Sequence, residues 1–172
     1  MILRLAILFS SLLIATSGFA QYSIIVKKGD RKLVLYKDGR EIKAYPIALG
    51  SAPTGHKLAQ GDRKTPEGTY YICRKNPRSQ FYLSLGLSYP NKQDAEAAYA
   101  SKLISKKQRN RIIKAIERGD CPDWGTALGG EIFIHGNGSK PDWTWGCVAL
   151  DDPEMKELYD LVPVGTRVTI EP

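Results

Sequence analysis

One histidine and one cysteine stand at the two ends of a short loop. His135 follows the alternating apolar residues Ile132 and Ile134, which predict the end of a strand, and Cys147 lies twelve positions later, before Val148. A cysteine is a strong nucleophile only as its thiolate, and a nearby imidazole can take the thiol proton. The two residue types in this arrangement predict nucleophilic catalysis, with Cys147 as the nucleophile and His135 as the base.

A glycine stands beside each of these residues, because Gly136 follows the histidine and Gly146 precedes the cysteine. Glycine lets the backbone approach a substrate closely or adopt angles that other residues avoid. A structural role is the alternative, since isolated cysteines are often small buried core residues and isolated histidines are often hydrogen-bonded core residues. The residue types alone leave both roles open.

Residues 1–20 predict a secretory signal peptide. A basic residue lies near the start, residues 5–15 form an apolar run broken only by two serines, and Gly18 and Ala20 are the small residues that a signal peptidase reads. The run is short for a membrane span, which needs about 20 apolar residues. We therefore expect export to the periplasm or cell envelope, with no membrane anchor after cleavage near Gln21.

The rest of the chain, residues 21–172, fits one domain with a hydrophobic core. The chain has a net charge of +7, and loss of one arginine with the signal peptide leaves +6. A basic surface favours nucleic acid, anionic lipid or an acidic polymer. Export argues against a nucleic-acid partner, and the scattered positions of the basic residues also fit a plain solvated face. The charge therefore weakly favours an anionic partner in the cell envelope.

Three cysteines in an exported chain leave at least one thiol unpaired or paired with another chain. A disulfide between Cys73 and Cys121 would leave Cys147 free as a nucleophile. The pairing depends on the separation and direction of the Cα–Cβ bonds, so the sequence does not decide it.

The elements that must position His135 and Cys147 are mostly strands. Asp38-Gly39 is a strong signal for a two-residue hairpin turn, and Pro46 suits an edge strand or a bulge. The sequence predicts a mainly β fold that opens with a β-meander. The predicted strands are Tyr22 to Lys28, Leu33 to Tyr36, Glu41 to Leu49, Thr69 to Arg74, Phe81 to Leu87, Glu131 to Ile134 and Arg167 to Ile170.

Residues 91–119 predict a helical insertion into this β fold. Asp94 to Lys102 is rich in alanine, and Ser105 is a suitable N-cap for a second helix over Lys106 to Arg118. We expect the insertion to pack against or overhang the β core, where it is a candidate source of substrate contacts. A third helix is predicted after the cysteine, with Asp152 as its N-cap.

Gly50 to Gly68 predicts a long loop, because it is rich in glycine and proline and has no periodic apolar pattern. Asp62 and Thr65 are expected to shape this loop through hydrogen bonds from their side chains to the backbone. His56 is expected to pack within the loop or face solvent, and contact with a substrate is the less favoured role.

Two motifs, in this order, resemble the L,D-transpeptidase family, the YkuD-type catalytic domain of peptidoglycan enzymes. The first is Gly-Asp-Arg-Lys-Thr-Pro-Glu-Gly over residues 61–68, and the second combines His135-Gly136 with Thr-Trp-Gly-Cys-Val over residues 144–148. The resemblance extends over residues 22–170. It implies a mixed β-sandwich like that of the L,D-transpeptidase catalytic domain, here with a helical insertion.

The resemblance also implies a reaction. Cys147 would attack the carbonyl of a meso-diaminopimelate residue, at its bond to D-alanine, in a peptidoglycan stem peptide. His135 would take the thiol proton, and the Gly136 carbonyl would orient the imidazole. Backbone N–H groups of Trp145, Gly146 and Cys147 are the candidates for an oxyanion hole. An amine would then resolve the thioester, forming a 3→3 crosslink or anchoring an envelope protein, with no metal or organic cofactor.

Two residues depart from the family pattern. Trp145 stands where the family usually has His or another polar residue, and Ala149 where it usually has Arg or Asn. Trp143 and Trp145 are expected either to line the substrate groove or to be buried against the sheet.

Three other readings remain. With water as the acceptor the protein would be an L,D-carboxypeptidase or amidase. With a structural Cys147 it would be a non-catalytic cell-wall binding module. A zinc site is disfavoured by two distant histidines and the absence of a Cys-x-x-Cys spacing.

Overall fold

The structure, a computed structural model, describes residues 20–172. The predicted signal peptide lies outside the described residues apart from Ala20. None of the helices within this range has the length and apolar composition that a membrane crossing requires. The elements are β1 Tyr22–Lys27, β2 Lys32–Lys37, β3 Arg40–Pro46, β4 Gly68–Ser79, β5 Tyr82–Leu87, α1 Lys92–Ala100, α2 Lys106–Glu117, β6 Phe133–His135, β7 Val148–Ala149, α3 Asp152–Leu161 and β8 Arg167–Glu171.

The strands of residues 20–172 form one eight-stranded sheet in the order β3-β2-β1-β8-β4-β5-β6-β7. The pairs β1–β8 and β6–β7 are parallel, and the other neighbouring pairs are antiparallel. A bridge between Ala48 and Ala149 brings the segment after β3 onto β7, so the sheet curls until its two ends meet. The predicted mainly β fold with a helical insertion is confirmed, as a curled mixed sheet with three helices.

The opening meander forms as predicted. Asp38 and Gly39 both have positive φ, 51° and 77°, which is the backbone of the tight hairpin turn that this dipeptide favours. The third strand ends at Pro46, three residues before the predicted end at Leu49. It ends early because Ala48 leaves the meander and bridges to β7 instead.

Strand β4 is longer than the predicted Thr69 to Arg74, since it continues to Ser79. Its first part pairs with β8 and its second part with β5, so two partners in succession extend it. The pairing with β5 shifts register near Asn76 to Ser79, at the end closest to His135 in the sheet. Such bulges re-aim side chains and are frequent next to active sites.

The main core consists of the inward side chains of the sheet and the apolar face of α3. Met155, Leu158 and Val162 of the α3 region are buried in it, as their helical spacing predicts. The inward strand residues include Ile24, Leu35, Ile72, Leu85, Ile134, Val148 and Val168. β6, which carries His135, and β7, which begins directly after Cys147, are therefore rooted in the largest apolar cluster of the described chain.

The helical insertion has a small core of its own. The predicted helices are confirmed, with capping boxes at Asn91 and Ser105. The buried members of its core are Ala95, Ala98, Ile104, Ile112 and Leu128. A disulfide joins Cys73 of β4 to Cys121 just beyond α2, which leaves Cys147 as the free cysteine.

The third helix begins one residue away from its predicted position. Its N-cap is Asp151 rather than Asp152, and the Asp151 side chain makes no capping hydrogen bond. The reason is that both carboxylates accept hydrogen bonds from the preceding loop: Asp151 from Ser139, and Asp152 from Asn137.

Candidate active site

Strands β6 and β7 bring the predicted nucleophile and base together. In this parallel pair Ile134 lies beside Val148, and His135 lies beside Ala149. Extending the register by one residue sets Cys147 beside Phe133, and side chains alternate along strands, so Cys147 points to the same face as His135. The Phe133 N–H donates to Cys147 Sγ at 3.4 Å. Cys147 and His135 line one pocket of about 380 Å³.

The imidazole of His135 is held on several sides. Its Nδ1 lies 2.7 Å from the carbonyl oxygen of Gly136, as the family resemblance implies. Because a carbonyl only accepts hydrogen bonds, Nδ1 carries the proton and Nε2 remains free to accept one. Phe81 stacks on the ring at 4.7 Å between centroids, and Trp143 meets it edge-on at 5.6 Å. The ring is therefore fixed in the tautomer that a general base requires.

Burial lowers the pKa of His135 from its ordinary value, although the hydrogen bond with Gly136 opposes this effect. Burial of the Cys147 thiol raises its pKa to about 11, and the Glu131 carboxylate adds to this effect. The Phe133 N–H and the positive charge of Lys57 lower the pKa of the thiol, but by less. The resting pair is therefore a neutral thiol and a neutral imidazole, and proton transfer must accompany attack.

These two pKa shifts set the direction in which pH changes stability. The unfolded chain binds a proton at His135 more readily than the folded one, so this contribution is lost as pH falls below the ordinary histidine pKa of 6.5. The folded chain keeps the Cys147 proton to higher pH, so that contribution is lost as pH rises from 9.0 towards 11. These two groups therefore contribute most to the stability of the fold between about pH 6.5 and pH 9.0.

The long loop packs directly against the backbone of the cysteine segment. Gly146 has φ of +123°, and a Cβ there would lie 2.6 Å from the carbonyl oxygen of Lys64. A Cβ on Gly50 would lie 2.0 Å from the carbonyl oxygen of Arg63. Backbone meets backbone at these points, so only glycine fits. The motif over residues 61–68 thus forms the support beneath Cys147.

Asp62 and Thr65 shape this loop as predicted. Asp62 accepts hydrogen bonds from the N–H groups of Leu58, Ala59 and Lys64, at 2.8, 3.1 and 3.1 Å. The Thr65 hydroxyl accepts the N–H of Gly50 at 3.0 Å. Neither side chain lines the Cys147 pocket, so both hold the loop in shape.

His56 also holds the long loop in place, as expected. Its Nδ1 accepts the N–H of Glu67 at 2.9 Å, and its Nε2 lies 3.1 Å from a carboxylate oxygen of Asp94. The second contact reaches helix α1. His56 therefore ties the long loop to the helical insertion.

Three aspartates brace the loop between His135 and Cys147, a role that the sequence alone did not predict. Asp151 accepts the N–H of Ser139 at 2.9 Å, and Asp152 accepts that of Asn137 at 2.7 Å. Asp142 accepts the N–H of Leu49 at 2.9 Å and pairs with Arg31 at 2.7 Å. The pair Asp151-Asp152 ahead of α3 was the only hint of this role in the sequence, and the same pair is equally typical of a helix N-cap.

The candidate oxyanion donors differ in availability. The N–H of Gly146 donates to the Thr144 hydroxyl at 3.2 Å, so this donor is already engaged. Within residues 20–172, the N–H groups of Trp145 and Cys147 donate to no protein atom. Gly136 serves as scaffold, since its N–H donates to the carbonyl of Phe81 at 3.0 Å. The N–H groups that remain available to bind an oxyanion, those of Trp145 and Cys147, therefore lie on either side of Gly146.

The L,D-transpeptidase catalytic domain model, YkuD, matches residues 21–170. The chain belongs to the L,D-transpeptidase catalytic domain family. Among curated relatives of this family, YkuD from Bacillus licheniformis is 25% identical over 156 residues, which cover 88% of this chain and 66% of that protein. YafK from Escherichia coli K12 is 34% identical over 87 residues, which cover 47% of this chain and 35% of that protein.

Solved structures of L,D-transpeptidases and related proteins share the fold. A point mutant of the helical cell shape determining protein Pgp2 from Campylobacter jejuni superimposes with a TM-score of 0.61 at 26% identity, covering 88% of this chain and 47% of that one. The L,D-transpeptidase from Mycobacterium smegmatis gives 0.53 at 12% identity, covering 89% and 59%, and shows the fold alone. The chain thus spans about half the length of these proteins.

The two departures from the L,D-transpeptidase pattern occupy different environments. Trp145 is 71% exposed, with the Arg63 guanidinium over its ring at 4.7 Å, so it is not buried against the sheet. Ala149 is fully buried between His135 and Ala48. A long polar side chain in place of Ala149 would be buried there without access to solvent.

The walls of the Cys147 pocket come from the turn between β4 and β5 and from the start of β6. Arg78, Gln80, Phe81, Glu131 and Phe133 are among them, and none of residues 91–119 lines this pocket. The expectation that the insertion supplies substrate contacts stays a prediction, and such contacts would lie outside this pocket. Within residues 20–172, no group of three or more His, Cys, Asp or Glu side chains is placed to hold a metal ion.

Proposed function

We propose that this protein is a cysteine-dependent L,D-transpeptidase that acts on peptidoglycan stem peptides. The observation that carries the proposal is the pairing of Cys147 with His135 on one face of β6 and β7. The carbonyl of Gly136 holds the imidazole so that its free Nε2 can accept a proton. Family membership supports the same chemistry.

In the first half-reaction, Cys147 Sγ attacks the carbonyl of the third stem residue as Nε2 of His135 takes the thiol proton. The N–H groups of Trp145 and Cys147 donate to the developing oxyanion. Such donors are worth about 10²–10³ in rate in a well-studied protease. The tetrahedral intermediate then breaks the bond to D-alanine, His135 returns the proton to the leaving amine, and a thioester remains on Cys147.

In the second half-reaction, an acceptor amine attacks the thioester carbonyl and gives up a proton to His135. The carbon–sulfur bond breaks, the proton returns to sulfur, and a new amide forms. A third-residue amine as acceptor gives a 3→3 crosslink, and an amine of an envelope protein gives an anchored protein. We place this activity in the periplasm or cell envelope, after removal of residues 1–20, and propose a role in cell-wall biogenesis and cell shape.

Hydrolysis is the second candidate, in which water replaces the amine and the protein acts as an L,D-carboxypeptidase or amidase. One observation favours it. Cys147 is only partly buried, so water can reach an acyl group on its sulfur. A non-catalytic cell-wall binding module is the candidate from another class, and it predicts that no thioester forms.

Mass spectrometry tests the proposal. The purified protein is incubated with stem tetrapeptides and with intact muropeptides, and both the protein and the products are weighed. An acyl adduct on Cys147 together with crosslinked dimers supports transpeptidation, whereas the adduct with shortened monomers supports hydrolysis. Cys147→Ser should abolish turnover, because a hydroxyl ionises far less readily than a thiol. Wild-type turnover by Cys147→Ser would refute the mechanism.

A carbapenem provides a second probe of Cys147. Family resemblance implies that its strained ring presents a carbonyl to the thiolate, so an adduct of the carbapenem mass is expected on Cys147. This probe reports nucleophile activation without requiring recognition of a stem peptide.

A further inference from the structure

Two side chains of opposite charge line the pocket that contains Cys147 and His135. Arg78, near the end of β4, contributes a guanidinium, and Glu131, just ahead of β6, contributes a carboxylate. Both are exposed and reach the pocket from different segments. The pocket therefore presents one cationic and one anionic group beside the nucleophile.

Neither charge is neutralised by the protein. Among the ion pairs of residues 20–172, none involves Arg78 or Glu131, so the two do not pair with each other. By contrast Arg109, Arg111 and Arg118 of the insertion each have an acidic partner. Two opposite charges that share a pocket but remain unpaired are suited to a ligand that carries both complementary charges.

The backbone at these positions also departs from ordinary geometry. Glu131 has φ of +54°, a conformation that non-glycine residues seldom adopt and that clusters at functional sites. Its carbonyl oxygen lies 3.6 Å from Cys147 Sγ and accepts the thiol hydrogen bond. On the other wall, Arg78 lies in the stretch where β4 shifts register against β5. The direction of each side chain is therefore set by an irregular backbone, a positive φ at Glu131 and a register shift at Arg78, rather than by a regular strand.

Glu131 lines the same pocket as Cys147, and its carboxylate acts electrostatically on the thiol. The Glu131 charge raises the pKa of Cys147, in the same direction as burial. A cationic group bound at Glu131 would cancel this effect and favour thiolate formation when substrate is present.

We propose that Arg78 and Glu131 determine specificity for a substrate end that carries a carboxylate and an ammonium on the same carbon. Arg78 binds the carboxylate with its planar guanidinium, and Glu131 accepts hydrogen bonds from the ammonium. The inference rests on the proposed function and names the group that the Cys147 pocket selects. A free amino-acid centre at the end of a stem-peptide side chain has this chemistry, in the donor or in the acceptor strand.

The test combines protein variants that lack one of the two charges with substrates that lack one of the two complementary charges. Three stem tetrapeptides are compared: one with a free amino-acid centre on its third residue, one with the carboxylate of that centre amidated, and one with its amine acetylated. With wild-type protein, loss of either charge should slow formation of the Cys147 acyl adduct roughly five- to tenfold. Arg78→Gln should lose the discrimination against the amide only, and Glu131→Gln that against the acetylated peptide only.

Donor and acceptor are distinguished by measuring the two half-reactions separately. Acylation is followed without added amine, and resolution of a preformed acyl adduct is followed with amines that do or do not carry an adjacent carboxylate. Discrimination that depends on Arg78 or Glu131 in acylation assigns the pocket to the donor, and discrimination only in resolution assigns it to the acceptor. The inference is overturned if both variants discriminate as the wild type does in both steps.

Matched controls come from strand β3, at residues that do not line the Cys147 pocket. Arg40→Gln and Glu41→Gln remove equivalent charges from exposed β3 residues that form no ion pair within residues 20–172, and both should keep wild-type discrimination. An equal loss of rate with all three peptides in Arg78→Gln or Glu131→Gln would indicate a general defect and also overturn the inference.

The same peptides separate this inference from the proposed function. If no peptide and no carbapenem acylates Cys147, the proposed function fails. Calorimetric binding of the three peptides to Cys147→Ala then still measures whether the pocket selects the doubly charged group. Acylation of Cys147 without any dependence on the two charges would leave the proposed function standing and refute the specificity role.

Discussion

The segment around Cys147 and the helical insertion are held in place by different kinds of contact. Around Cys147, backbone meets backbone at Gly50 and Gly146. Aspartate carboxylates accept backbone N–H groups of the loop before Cys147 and of Leu49. The insertion instead depends on small apolar contacts around Ile112 and on exposed ion pairs such as Arg111–Asp123. We therefore expect the segment around Cys147 to tolerate few substitutions, and the helical insertion to tolerate substitutions at most of its surface positions.

This difference explains which region can carry chemistry. A catalytic pair must keep its geometry within a fraction of an ångström, which requires groups locked by packing and hydrogen bonds. The Cys147 region meets this requirement because two strands of the main core carry the pair. The insertion contributes no lining residue to the Cys147 pocket. Substitutions in the two regions should therefore differ mainly in whether they change rate or stability.

The largest expected effect is on rate, from substitution of His135, the base of the proposed catalytic pair. His135→Ala should slow thioester formation by about 10²–10⁴, the contribution of a positioned acid–base group. The rate is measured by intact-protein mass spectrometry with a stem tetrapeptide. His56→Ala is the matched control, because the second histidine ties the long loop to α1 and lies outside the Cys147 pocket. Equal losses in both variants would contradict the assignment of His135.

The second effect concerns the reactivity of the thiol itself. Because burial raises the pKa of Cys147 from 9.0 to about 11, the thiolate fraction below pH 9 should be about 100-fold lower than in an ordinary cysteine. Alkylation by a small electrophile in the absence of substrate should therefore rise with pH up to about 11. A plateau near neutral pH would show that the resting pair is a thiolate and an imidazolium.

The third effect compares the same substitution, glycine to alanine, at Gly146 beside Cys147 and at Gly119 at the end of the insertion. Gly146→Ala should cost about 1–3 kcal/mol from backbone strain and a further 1–3 kcal/mol from overpacking against Lys64, and should also slow acylation. Gly119, at the end of the insertion, has φ of +76° but open space around it, so Gly119→Ala should show the strain alone with no change in rate. Denaturant unfolding and acylation kinetics measure the two quantities. Identical outcomes would remove the distinction between the regions.

The fourth effect is on stability alone. The disulfide between Cys73 and Cys121 closes a segment of 48 positions that contains the whole insertion. Replacing both cysteines by serine should lower the free energy of unfolding by about 2–5 kcal/mol, through the entropy gained by the unfolded chain. Acylation of the folded fraction should stay near the wild-type rate. A large loss of rate without loss of stability would show that the insertion does position the site.

The smallest effect is expected on the insertion surface. Arg111 is 53% exposed in its ion pair with Asp123, so Arg111→Gln should change stability by less than about 1 kcal/mol and leave acylation unchanged. Thermal unfolding at low and high salt measures the change, which should shrink as salt screens the pair. A loss of several kcal/mol would mean that surface charges, rather than the small apolar core, hold the insertion.

Local patterns in the sequence determined most of the elements. Asp38-Gly39 determined the β2–β3 hairpin, because few dipeptides accept two positive φ angles in succession. Ser105 and the isoleucine spacing determined α2, and the two motifs marked the candidate catalytic pair and its supporting loop. These signals are readable because they depend on neighbours within a few positions, as caps, turns and helical faces do.

Other features required the folded chain. The end of β3, the length of β4 and the start of α3 all departed from prediction, because distant partners decided them: Ala149 for β3, β5 and β8 for β4, and the loop before Cys147 for α3. The disulfide pairing and the roles of Asp142, Asp151 and Asp152 also depend on residues far away in sequence. Such contacts leave no local pattern in a single sequence.

The site itself divides in the same way. The sequence by itself determined that Cys147 and His135 were the candidate nucleophile and base, because few residue types can serve in those roles. Only the tertiary structure decided that they share one face of a parallel strand pair, that Nε2 is the free nitrogen, and that Arg78 and Glu131 stand beside them. The physical reason is that side-chain direction follows from strand register and from the curl of the whole sheet, which are set by the entire core at once.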